Sequence, residues 1–288
     1  MIRVHHQTTN LCHSSSVLTI PCNFLGKISP QYYSLVKKHW GKVRKSRAVC
    51  LASSSQNSSY NVERKRKVVE HLCLLKAKED LSDEQEKDML DYLYTTQYHM
   101  AGIVAISLGR TSDQNPQNYS HGVFMRFQRK EDLAKFYDNH MYLRVLKEHV
   151  TPYCKEMLCV DFESDVEDDI LAIFRKGEEF HYGVELMLLI KLHENALNGP
   201  AEDALASLAN LASEFPSLIV QSTQGSNFNS ESKEYTHAIV IRFRSVEAQK
   251  IFLESSEYKH IWETTLLPMS QKTLSFHFLV DPVGTDLM

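Results

Sequence analysis

Apolar and polar positions along the chain switch between a period of two and a period near 3.6, which predicts strands and helices in a fixed order. Residues 68–76, Val-Val-Glu-His-Leu-Cys-Leu-Leu-Lys, are β-rich and bounded by charge, so they predict a first strand. Ser82-Asp-Glu-Gln85 has the form of a capping box, and Met89, Leu90 and Leu93 behind it fall on one helical face. Residues 103–108 predict a second strand ended by Gly109, 110–118 a polar loop, and 121–127 a third strand. Helices over 130–138 and 142–150 follow, Pro152 ends the later one, and 157–162 predict a fourth strand.

The plan then repeats, with strands over 184–191, 218–221, 235–243 and 273–280. Helices are predicted over 200–212, from the Ser245 cap to about 254, and over 258–266. The repetition extends to residues. Tyr119-Ser-His121-Gly-Val-Phe-Met-Arg126-Phe127 recurs 116 positions later as Tyr235-Thr-His237-Ala-Ile-Val-Ile-Arg242-Phe243. The same shift pairs Gly109 with Gly225, Pro152 with Pro268 and Phe162 with Phe278. One fold is therefore written twice. Each copy reads β-α-β-β-α-β, which predicts an α+β protein made of two tandem ferredoxin-like units. Apolar residues on both faces of the strands imply that the sheet face without helices is buried too, and packing the two sheets face to face achieves this.

Composition sharpens the boundaries. The 288 residues suffice for two domains with separate cores, and 43% hydrophobic with 24% charged residues are values of an ordinary globular protein. No apolar run reaches the roughly 18 residues of a helical membrane span, which predicts a protein not integral to a membrane. Residues 1–62 contain no Asp or Glu but eight of the 32 basic residues, leaving 24 basic against 36 acidic ones from Glu63 onward, a net of −12. An acid-free, Ser/Thr-rich, basic start predicts an organelle transit peptide, with a plastid-like processing region near Arg44–Ala52 and a disordered basic tail as the alternative. The acidic body argues against nucleic acid as a partner. The resulting plan is a leader over 1–62, a first unit over 63–164, an acidic linker over 165–182, a second unit over 183–280 and a tail over 281–288. Beyond the leader Cys73, Cys154 and Cys159 form neither a disulfide framework nor a zinc pattern, and Cys73 and Cys159 stand at apolar strand positions as core filler.

The opening Val69-Glu-His71-Leu-Cys-Leu-Leu-Lys76, the Tyr-(Ser/Thr)-His strands and the closing Pro-x5-Leu-x3-Phe resemble the plant stress-response A/B barrel family, closest to its tandem-domain, organelle-targeted members. The likeness covers roughly 68–163 and 183–280. It implies a dimeric-type α+β barrel, formed either by a homodimer or by the two copies of one chain as a pseudo-dimer. It also implies a chloroplast protein of stress or defence that associates, and binds a small apolar ligand in the barrel cavity, without established chemistry.

The family also includes a polyketide cyclase with histidines on its first strand and in an H-P-x-H motif. By that resemblance His71, His121 and His140 are the candidate catalytic residues of a cyclase-like or lyase-like alternative. His71 and His121 are expected on neighbouring strands, able to approach one another as general base and partner. The H-P-x-H motif survives only as His140-Met-Tyr-Leu143. In the second copy Leu186 stands where His71 would be, and only His237 remains. The competing reading makes Tyr119, His121, Tyr235 and His237 scaffold residues, present in both copies because they hold the barrel together. An enzyme predicts a pocket of several hundred Å³ opening onto both first-copy histidines. No cofactor is required. Some family members hold magnesium through main-chain oxygens after the first helix, here 94–100, a feature no sequence signal indicates.

Overall fold

The computed structural model describes residues 65–111, 115–167, 183–197 and 199–280. The leader and tail lie outside these residues, as does most of the acidic linker. Among the described residues eight strands and six α-helices follow the expected order. The first copy holds β1 (Lys65–Ala77), α1 (Asp83–His99), β2 (Ile103–Arg110), β3 (His121–Phe127), α2 (Lys130–Tyr137), α3 (His140–Val145) and β4 (Cys154–Glu167). The second holds β5 (Val184–Leu192), α4 (Pro200–Ser213), β6 (Ile219–Ser226), β7 (His237–Phe243), α5 (Val246–Glu254), α6 (Ser256–Ile261) and β8 (Ser270–Leu279). The Ser82 capping box forms as predicted, and Ser245 caps α5 by accepting from the Ala248 amide. The helices expected over 142–150 and 258–266 are each an α-helical turn continued by a π-helical one, at Leu146–Val150 and Trp262–Leu266.

Each copy forms a four-stranded antiparallel sheet, in the orders β2-β3-β1-β4 and β6-β7-β5-β8. Strand alternation divides the side chains between two cores. On β1, Val69, Cys73 and Leu75 face the helices of their own copy, whereas Leu72 and Leu74 face the other sheet. The inter-sheet core joins Phe124, Phe162 and Tyr119 to Phe276, Phe278 and Tyr235. The barrel is thus closed within one chain. β4 lies along β6 and β2 along β8 at the two seams.

Gly109 does not end β2, which continues to Arg110. Its repeated use has another cause. A methyl group at Gly225 would stand 2.5 Å from the Glu163 carbonyl oxygen, and one at Gly109 would collide with that of Leu279. Both glycines let the backbones of opposing sheets meet at the seams.

Between the sheets lie two buried ion pairs, one per copy. Arg126 donates from Nε and Nη2 to Glu70, and Arg242 donates from Nε to Glu185 at 2.5 Å. Each pair is completed from the other copy: Gln221 Oε1 accepts from Arg126 Nη1 at 3.1 Å, and Ser107 Oγ donates to Glu185 at 3.0 Å. Such charges are tolerable only with most of their hydrogen-bonding capacity used.

Candidate functional site

The Tyr-(Ser/Thr)-His strands explain themselves locally. Ser120 Oγ lies 3.2 Å from the Leu75 carbonyl, accepts from the Ala77 amide at 2.9 Å, and stands 2.9 Å from His121 Nδ1. Thr236 repeats the arrangement with the Ile190 carbonyl, the Leu192 amide and His237 Nδ1. The hydroxyl fastens the start of one strand to the end of its neighbour, and the imidazole is oriented against it. His121 Nε2 then meets Glu86 of α1 at 2.8 Å, while His237 Nε2 meets Ser226 at 3.1 Å. Burial pulls both imidazoles below their ordinary value; Glu86 opposes it at His121 and the charge of Glu202 at His237. Tyr119 and Tyr235 sit in the inter-sheet core, with the Tyr119 hydroxyl donating to Glu156 at 3.0 Å.

His71 is placed differently. Its register partner on β3 is Met125, whereas His121 lies opposite Leu75. The two histidines are four residue steps apart along the sheet, roughly 13 Å at about 3.3 Å per step. They do not approach one another, contrary to the expectation, because neighbouring strands align side chains only at matching register. His140 is exposed at the start of α3, and Tyr142, two residues on, is buried instead.

The structure gathers a different set around His71. On β4 the acid Asp161, register partner of His71, brings Oδ1 to 2.7 Å from His71 Nδ1. The Tyr137 hydroxyl of α2 stands 3.1 Å from the same nitrogen and donates to Asp161 Oδ2 at 2.8 Å. Asn229, from the β6–β7 loop of the other copy, donates to Asp161 Oδ2 at 2.7 Å and contacts the Tyr137 hydroxyl at 3.1 Å. Burial disfavours the imidazolium of His71, but the Asp161 charge and hydrogen bond together outweigh it and raise the imidazole above its ordinary 6.5. Burial first, then neighbouring negative charge, pushes the Tyr137 phenol far up, so it acts as a hydrogen-bond donor.

Of this network His71 lines a narrow cleft between sheet and helices of the first copy. Cys73, Met125, Leu93, Tyr142, Leu146 and Met157 supply much of the remaining lining. The cleft has room for about one water molecule. It reaches His71 but not His121.

Sequence reasoning missed Asp161, Tyr137 and Asn229. Asp161 did leave a signal, as an acid between Val160 and Phe162 in an apolar strand. Asn229 lies in a polar loop of the other copy and left none. Among the described residues no group of three or more His, Cys, Asp or Glu side chains is arranged to hold a metal. The segment 94–100 lies mainly in α1, offers no carboxylate, and its Tyr94 carbonyl already accepts from Gln97. No helix among the described residues is long and apolar enough to cross a membrane.

Comparison with known proteins agrees with this architecture. A stress-response A/B barrel domain-containing protein of Arabidopsis thaliana is 27% identical over 201 residues, 67% of this chain and 73% of that protein. The crystal structure of an anthrone oxidase-like protein superposes with a TM-score of 0.54 at 10% identity, over 75% of this chain and 91% of the other. A Fusobacterium nucleatum protein provisionally described as a monooxygenase gives 0.53 at 8%, over 75% and 92%. At these identities the two structures speak for the fold alone. The model of the stress responsive A/B barrel domain matches residues 69–164 and again 184–280, and the chain belongs to that family.

Proposed function

We propose that the protein is a non-enzymatic stress-response barrel whose first copy binds a small, largely apolar molecule carrying one hydrogen-bonding group. The observation that carries this reading is His71 in the wall of an otherwise apolar cleft, held by Asp161, to which Tyr137 and Asn229 donate. Ligand sites are mostly apolar with a few fixed polar groups, and a satisfied network of this kind holds its members in one geometry. The matching positions of the second copy are Leu186, His277 and Leu253, of which the two leucines pack in its apolar core. A ligand enters by displacing the side chains that narrow the cleft, chiefly Leu146 and the exposed Met157. Self-association is met within the chain, by the first copy packing on the second. No cofactor or nucleic acid enters this reading. The basic leader 1–62 supports import into the chloroplast, tested by incubating the full chain with isolated plastids.

Native mass spectrometry of the full-length chain from plant tissue tests the ligand. The expected result is a small molecule bound to the wild type and lost when His71 and Asp161 are both replaced by leucine. Retention by a folded variant removes the reading.

A lyase-like or cyclase-like enzyme remains the second reading, because Asp161 holds an imidazole as a general base requires. His121 and His140 do not reach that cleft, so the enzyme would rest on His71 with Tyr137. Unchanged stress tolerance in plants complemented with His71→Ala ends it.

A further inference from the structure

The first copy's sheet holds a second pair of reactive groups, of which Cys73 lines the cleft. Cys73 on β1 and Cys159 on β4 are direct register partners, two positions from the His71–Asp161 pair. Both thiols project to the helix side, since Leu72, Leu74, Leu158 and Val160, which alternate with them, face the other sheet. Antiparallel partners have Cα atoms about 4.5–5.5 Å apart, inside the range of about 4.4–6.8 Å that a disulfide spans. Both cysteines are free thiols, Cys73 buried and Cys159 half-buried.

We infer that Cys73 and Cys159 are an oxidisable dithiol that takes hydroperoxides, with Cys159 as the attacking and Cys73 as the resolving sulfur. Their unequal exposure suits those roles, because the first sulfur must meet the oxidant and the second must be kept from it. The surroundings agree. A hydrogen bond from Cys73 holds the Cys159 thiol below its ordinary value against the effect of burial, helped by the charge of His71. That bond and burial hold Cys73 well above. Of the two sulfurs Cys159 is therefore the more readily deprotonated, although the charge of Asp161 opposes this.

The Cys159 sulfur attacks one hydroperoxide oxygen, the O–O bond breaks, and the other oxygen leaves as an alcohol, or as water from hydrogen peroxide, after protonation. Cys159 is then a sulfenic acid. The Cys73 sulfur attacks the Cys159 sulfur, the S–O bond breaks, and the oxygen leaves as water with the Cys73 proton. Two electrons pass from the dithiol to the peroxide. In the second copy Leu188 faces Ser275 at the matching register, so the device belongs to the first copy alone. It stands whether or not the cleft takes a ligand. Its effect on binding, by tying Cys73 to the strand behind it, rests on the ligand reading above.

The test treats the folded full-length chain with hydrogen peroxide, then unfolds and alkylates it for peptide mapping. The expected result is joint loss of alkylation at Cys73 and Cys159, with a cross-linked peptide pair lighter by about 2 Da, reversed by a dithiol reductant. In Cys73→Ser, dimedone should label Cys159. Full alkylation of both cysteines in peroxide-treated wild type overturns the inference, and so does pairing of either with Cys154 or a leader cysteine. Because the wild-type measurement needs no variant, misfolding of Cys73→Ser cannot obscure it. Cross-linking without any co-purifying ligand would uphold the dithiol and count only against the ligand reading.

Discussion

The two copies agree on the face where they meet and differ on the face each keeps to itself. Between the sheets, Glu70–Arg126 is answered by Glu185–Arg242, Tyr119 by Tyr235, and Gly109 by Gly225. Against the helices, His71, Asp161, Tyr137, Cys73 and Cys159 become Leu186, His277, Leu253, Leu188 and Ser275. The shared face builds the barrel, and building it needs both halves. The private face is under no such demand, so one copy puts leucine at three of these five positions while the other keeps polar groups. Polar groups at an interior position need partners, and the first copy supplies them even from the other copy's loop through Asn229.

The largest test of the likeness removes a buried charge. Arg126→Ala leaves Glu70 without its main partner, and Arg242→Ala does the same to Glu185. Each should lower stability by about 3–5 kcal/mol in urea unfolding, as expected when one member of a buried pair is deleted. Nearly equal losses support two equivalent barrel halves; a silent Arg242→Ala would break the equivalence. Next come the seams. Gly225→Ala and Gly109→Ala each push a methyl against an opposing backbone carbonyl, and should cost about 1–3 kcal/mol by the same measurement.

The barrel was legible because its demands are periodic. Strand alternation, the capping box at Ser82 and the 116-residue shift all mark local geometry, and local geometry leaves patterns. Element ends were less legible. The β4 strand was expected over 157–162 but runs from Cys154 to Glu167, since its outer residues pair with β1 whatever their polarity. The candidate site was legible only in His71. Placing His121 beside it requires a register, and register depends on turn lengths and on which side chains must be buried. Asn229 reaches the site across the barrel, a contact that exists only once two sheets have closed.

A smaller effect sharpens the difference between the private faces. His71→Leu installs the second copy's residue and leaves Asp161 with only Tyr137 and Asn229. Stability should fall by roughly 1–3 kcal/mol, the cost of an under-satisfied buried polar group. Adding Asp161→His, so that both positions carry the second copy's residues, should recover part of that loss in a double-mutant cycle. Strictly additive losses would mean that the pair does not act as a unit.

The smallest effect is a dependence on pH whose sign differs between the histidines. His71 has its folded value raised above 6.5, so the stability it contributes is fully present below that value and is lost as pH rises through the folded one. His121 and His237 have theirs lowered, so their contribution is present above 6.5 and is lost as pH falls through the folded values. The physical causes are opposed: at His71 a buried carboxylate outweighs burial, whereas at the other two burial wins. The penalty of His71→Leu should therefore be larger at about pH 6 than at about pH 8, since the wild type has already given up part of the His71 contribution at the higher pH. Replacing His237, which has no carboxylate bonded to it, should show the reverse trend. Urea unfolding of the wild type and the two variants across that range measures both slopes. Parallel slopes would mean that Asp161 does not hold a charged His71.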